Sequence, residues 1–174
     1  MRSARFSFVV CSFVLAGALA LAPSAWATCT CANTVNGTSG DDYLTGSSAV
    51  DCIYGGDGSD LIYGYGSGDC LYGEGGPDAI FADTGDDEVF SGPSGIYGDY
   101  ADGNDGSDLM DGGDDVDVLA GYNGVDIIVG GSGDDQMNGE GNNDSLTGQD
   151  GTDRADGGNG TDFCDAETEI LCEV

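Results

Sequence analysis

The chain has no histidine and only three basic residues, Arg2, Arg5 and Arg154, against 33 acidic ones. A nucleic-acid binder needs basic surface to neutralise phosphates, so that class is excluded. Imidazole acid–base catalysis and histidine-ligated zinc are excluded as well. There is no GxSxG, no HExxH and no EF-hand loop, whose alternating acids must end in a glutamate. Proline occurs only 3 times and aromatics make up 9%. Such acidity with so few aromatics normally marks disorder. Two features argue otherwise: Gly and Asp recur at a fixed interval, and seven cysteines are present.

The first 27 residues have the layout of a secretory leader. Arg2 and Arg5 form a charged start, residues 6–21 are almost wholly apolar, and Ala25-Trp26-Ala27 supplies small residues at a cleavage point. The apolar run is at the short end of the ~17–25 residues that a spanning helix needs, and no later segment is apolar enough to cross a bilayer. The expectation is a Sec-type signal peptide and a secreted or extracellular product, with the periplasm or cell surface as variants. Six cysteines follow the leader: Cys29, Cys31, Cys52, Cys70, Cys164 and Cys172. An even count in an exported chain points to disulfides. A zinc site is disfavoured because the spacings lack paired CxxC.

The rest is repetitive. In blocks of nine, residues 36–89 hold six copies and residues 102–164 hold seven, with residues 90–101 as an interruption. Residues 28–35 and 165–174 are left as short caps. Position seven is Asp in every copy: Asp42, Asp51, Asp60, Asp69, Asp78, Asp87, Asp108, Asp117, Asp126, Asp135, Asp144, Asp153 and Asp162. Position two is Gly except at Ala82, and position five is mostly Gly. Position nine is apolar throughout, from Leu44 and Ile53 to Ala155 and Cys164.

This pattern resembles the glycine-rich nonapeptide GGxGxDxUx of RTX proteins, a calcium-binding repeat. Residues 55–60 (GGDGSD), 130–135 (GGSGDD) and 157–162 (GGNGTD) match it in full. The resemblance implies an all-β fold, a parallel β-roll or β-solenoid. Physical reasoning leads the same way. Each nonapeptide offers six turn residues and a three-residue strand, with position nine inward and positions eight and one outward. Gly at positions two and five allows positive φ and close backbone approach. Two repeats close one 18-residue coil. One apolar side chain per nine residues makes a thin core. Stacking also sets like charges in columns, where a pair ~5 Å apart repels by about 3 kcal/mol at an effective dielectric near 20. A counter-cation is required. Calcium suits carboxylate and carbonyl oxygens in loose geometry better than magnesium does.

The resemblance further implies several calcium ions, each between turns one coil apart and bound by the position-seven Asp and by carbonyls. The best turns hold Asp108, Asp117, Asp126, Asp135, Asp144, Asp153 and Asp162, then Asp42, Asp60 and Asp78. Asp51, Asp69 and Asp87 are weaker, because their turns lack a key Gly. Cys52 and Cys70 both occupy position eight, 18 residues apart, and would stack within disulfide reach; Cys29 and Cys31 could instead reach them. Cys164 and Cys172 join the last coil to the C-terminal cap, so the caps are disulfide-linked.

Tyr54, Tyr72 and Phe90 share position one at intervals of 18 and form an outward aromatic ladder, with Tyr63 and Phe81 on the opposite face. They are either cross-strand packing or a contact surface for a protein, a glycan or a second copy. The interruption, with Pro93 and Tyr97, is either a degenerate half-coil or a bulging loop. The reading is a secreted, non-catalytic calcium-binding β-roll that folds on meeting the ion and serves as a structural or interaction module. The alternatives are an ice- or crystal-binding surface, for which positions three and four vary too much, and a small secreted enzyme.

Overall fold

The computed structural model describes residues 30–95 and 97–172. The leader segment and Cys29 lie outside these. The described residues form strands β1 (Asn33–Asn36), β2 (Tyr43–Thr45), β3 (Asp51–Asp57), β4 (Leu61–Gly66), β5 (Cys70–Gly75), β6 (Ala79–Thr84), β7 (Glu88–Pro93), β8 (Tyr100–Asp105), β9 (Leu109–Asp114), β10 (Val118–Asn123), β11 (Ile127–Ser132), β12 (Gln136–Gly141), β13 (Ser145–Asp150), β14 (Arg154–Asp156), β15 (Phe163–Asp165) and β16 (Thr168–Ile170). Odd-numbered strands make one eight-stranded sheet in chain order, and even-numbered strands make the other. Every pairing is parallel, and most set residues 18 apart side by side, as in Ile53 with Leu71 and Ile128 with Leu146; β14 and β16 pair residues 14 apart. This is a parallel β-solenoid with two nonapeptides per coil. No helix of the described residues is long and apolar enough to cross a membrane.

Alternation along each strand sends position nine inward. From Ile53 to Ala155 these side chains are at most 1% exposed, and they stack into one continuous apolar column. Most strands are longer than the expected triplet. β4 runs from position eight to position four, and Tyr65 and Gly66 pair with Asp83 and Thr84. In parallel stacking each turn lies on its copy in the next coil, so turn amides and carbonyls continue the ladder.

Residues 90–101 are a half-coil with a long turn. Phe90 continues the register of Tyr72, and Ala101 takes a core place beside Ile80. The turn between β7 and β8 holds three more residues than the others, so pairings across it are 21 apart, as in Val89 with Met110.

Cys52 is bonded to Cys31, not to Cys70, with Cα atoms 5.5 Å apart. Of the partners the sequence left open for Cys52, namely Cys70, Cys29 and Cys31, it is Cys31 of the N-terminal cap that takes it. Cys70 is itself disulfide-bonded. Cys164 joins Cys172 as expected. The position-one aromatics do stack. Tyr54 lies 4.8 Å from Tyr72 with planes 4° apart, and Tyr72 lies 5.3 Å from Phe90. On the other face Tyr63 and Phe81 are 5.1 Å apart, with Tyr43 and Tyr100 extending the row. These rings cover one another's faces, as in cross-strand packing.

Candidate metal centre: two buried carboxylate columns

Stacking turns on turns brings the position-seven residues into two columns, one along each edge of the roll. The first runs Asp42, Asp60, Asp78, Asp99, Asp117, Asp135, Asp153. The second runs Asp51, Asp69, Asp87, Asp108, Asp126, Asp144, Asp162. Within each column the backbone amide of one Asp donates to Oδ1 of the Asp one coil on, at 2.6–3.0 Å. Apart from half-buried Asp42, every member is at most 3% exposed.

Two column residues escaped the nonapeptide count. Asp99 lies in the interruption, where three extra residues shift it out of phase. It receives the Asp78 amide at 2.7 Å and donates its own to Asp117. Glu167 ends the first column by accepting the Asp153 amide at 2.9 Å. The truncated last turn brings it level with Asp153, and its extra methylene bridges the gap.

The other carboxylate oxygen, Oδ2, is the unusual one. In the twelve column residues from Asp60 to Asp162 it is buried and has no hydrogen-bond partner. A buried carboxylate oxygen without a donor is costly, so something from outside the chain must meet it. The protein itself has almost no positive charge to offer. Among the described residues the one ion pair is Arg154 with Asp156, and it lies at the surface.

The glycines at position two frame the same space. A Cβ added at Gly112 would stand 2.5 Å from Asp117 Oδ2 and 2.6 Å from the Gly130 carbonyl oxygen of the next coil. At Gly139 the corresponding oxygens, Asp144 Oδ2 and the Gly157 carbonyl, stand at 2.5 and 2.8 Å. Gly at position two gives this close approach in most turns, with Ala82 and Ser91 as the exceptions, and its φ is not positive. Positive φ falls at position five, as expected, and also at position three, where Tyr65, Glu74, Asp83 and Gln149 adopt it despite their side chains. The turns of Asp69 and Asp87, which the sequence ranked lower for lacking a Gly, keep the same backbone at positions three and five: Ser67 takes the left-handed conformation at φ 80° in the first, and Asp83 and Gly85 do so in the second, where buried Ala82 stands at position two.

Burial pushes these carboxyls up from their ordinary value near 3.8. Asp87 and Asp99 reach about 8. Asp108 and Asp117 reach about 7. Asp69, Asp78, Asp126, Asp135 and Asp144 reach about 6. Loss of hydration is the main cause. The amide from the neighbouring Asp opposes it, and in most of them adjoining carboxylates add to the rise.

Among the described residues no three acidic or cysteine side chains gather at one point. A cation here has to draw on carbonyls of the Gly-rich turns as well as on the free Oδ2. That donor set, all oxygen and loosely spaced, fits calcium and not a soft or tightly octahedral ion.

Comparison with known proteins agrees. The family model for the RTX calcium-binding nonapeptide repeat matches residues 32–62, 63–93, 95–128, 102–137 and 129–164. No match is found among curated proteins. Repeats of this family bind calcium, and the stacked buried carboxylates suit several ions. By its repeat, its parallel β-roll and its acidic columns, the chain belongs to the RTX calcium-binding nonapeptide repeat family.

Proposed function

We propose that the protein is an exported, non-catalytic module whose β-roll forms when calcium fills the spaces between its stacked turns. It serves as a structural or interaction element outside the cytoplasm. The observation that carries this reading is the row of twelve buried Oδ2 atoms without a donor. Bound calcium would neutralise the columns and take up these oxygens. The Asp residues from Asp60 to Asp162, with Asp99 among them, would hold it together with turn carbonyls.

Export is supported by the charged and then apolar layout of residues 1–27 and by the disulfides, which persist in oxidising compartments. Extracellular calcium is also abundant enough for the weak sites that appended modules use, in the range of about 10⁻⁴–10⁻³ M. The chain would thus stay unfolded before export and fold after it. Isothermal titration of the protein with calcium at pH 7.5 tests this. Multiple sites with a concurrent gain of β circular dichroism are expected. A heat trace equal to buffer dilution would contradict it.

A further inference from the structure

The first turn on each edge differs from all that follow. In the twelve later turns the position-three residue has positive φ, from 69° to 114°, and the Asp of that turn keeps Oδ2 without a partner. Thr38 and Ser47 hold position three in the first two turns, and neither has positive φ. Each turns inward on its own Asp. Thr38 donates its amide at 2.6 Å and its hydroxyl at 2.8 Å to Asp42 Oδ2. Ser47 does the same to Asp51 Oδ2, at 2.6 and 2.9 Å. Asn33 adds its side-chain amide to Asp51 Oδ1 at 2.6 Å, so both oxygens of that carboxylate are met. Position three is Ser or Thr in no other turn.

We infer that Thr38 and Ser47 stand in for the cation at the first turn of each edge, so that the N-terminal coil is a cation-independent cap on which the calcium-dependent coils build. Two donors already point at the oxygen that a cation would take. An incoming ion would have to displace both and drive position three into the left-handed region, which the β-branched Thr38 resists. The Cys31–Cys52 disulfide fastens β1 to β3 in the same coil, independently of any ion. The first cation-binding turns are then those of Asp60 and Asp69. This inference rests on the calcium-binding reading above.

Hydrogen exchange in chelator at pH 7.5, combined with calcium counting by equilibrium dialysis, tests it. The wild-type protein in chelator is expected to protect β2 and β3 at least about tenfold more than β11 and β12. Thr38→Gly/Ser47→Gly should lose that protection and bind up to two more calcium ions per chain. Thr38→Ser/Ser47→Thr, which keeps both hydroxyls, should behave as wild type and guards against a mere loss of folding. A first coil that exchanges as fast as the rest in wild type overturns the inference. So does a glycine double variant that loses protection without gaining ions. A wild-type protein that binds no calcium while its first coil stays protected contradicts the calcium reading and leaves the closed turns standing.

Discussion

The two halves of the roll repeat one nonapeptide but are held together differently. Up to β7, the Cys31–Cys52 disulfide, a disulfide at Cys70, two aromatic ladders and two self-closed turns support the stack. From β9 to β14, position one carries Asp111, Ala120, Val129, Asn138, Thr147 and Asp156, so no ring column covers the sheets. A thin core and the two carboxylate columns remain. A fold whose local support varies along its length should depend on its cation to a varying degree, most where nothing else bridges the coils.

Removing the cation should have the largest effect. In chelator at pH 7.5, far-UV circular dichroism should lose most of its β signal, and millimolar calcium should restore it.

Protons offer a second way to relieve the columns. The folded carboxyls of Asp87 and Asp99 titrate at about 8 and those of Asp108 and Asp117 at about 7, against about 3.9 in an unfolded chain. The folded state holds protons more tightly over that interval. Cation-free stability from these groups is therefore fully present below about pH 4, declines as pH rises above it and is lost as pH passes through about 7 to 8. The chelated protein should keep β structure near pH 5 and lose it by pH 8. Calcium binding at pH 7 should release protons, measurable by titration in buffers of different ionisation enthalpy. A β signal in chelator that grows as pH rises from 5 to 8 would have the wrong sign.

Single substitutions come next. Asp126→Ala removes a free Oδ2 and leaves the buried amide of Asp108 without its acceptor, a loss of about 1–3 kcal/mol. The calcium midpoint for folding should rise on the order of tenfold. Asp69→Ala has the same geometry but sits among disulfides and aromatic ladders, so its shift should be smaller. Equal shifts would erase the distinction between the halves.

Much of this was legible in the sequence. The invariant Asp at position seven foretold both columns, and the apolar ninth position foretold the core. Asp99 was hidden because three inserted residues moved it out of phase, although a turn ending in Gly98-Asp99 ahead of Tyr100-Ala101 carried the signal. Glu167 was hidden by a truncated turn and a changed residue type. Positive φ at position three could not be read from Tyr65 or Gln149, since tertiary stacking and not local preference imposes it. The closed first turns were readable in principle, from hydroxyls at Thr38 and Ser47 alone, but only once position three had a known role.

Reduction should give the most local effect, confined to the ends that the disulfides fasten. The Cys31–Cys52 bond closes 21 residues and the Cys164–Cys172 bond closes 8, so chain entropy puts their losses at about 3 and about 2.5 kcal/mol. Dithiothreitol in the presence of calcium should speed exchange in β1 to β5 more than in β9 to β12. Uniform loosening would remove the disulfides from the comparison.

The most direct test of unequal cation dependence is strand-resolved hydrogen exchange of the oxidised protein at pH 7.5, with and without calcium. The account predicts that chelation abolishes protection in β9 to β14 while β2 and β3 retain theirs. Loss of protection at one rate in all strands, or protection of β9 to β14 in chelator, would contradict it.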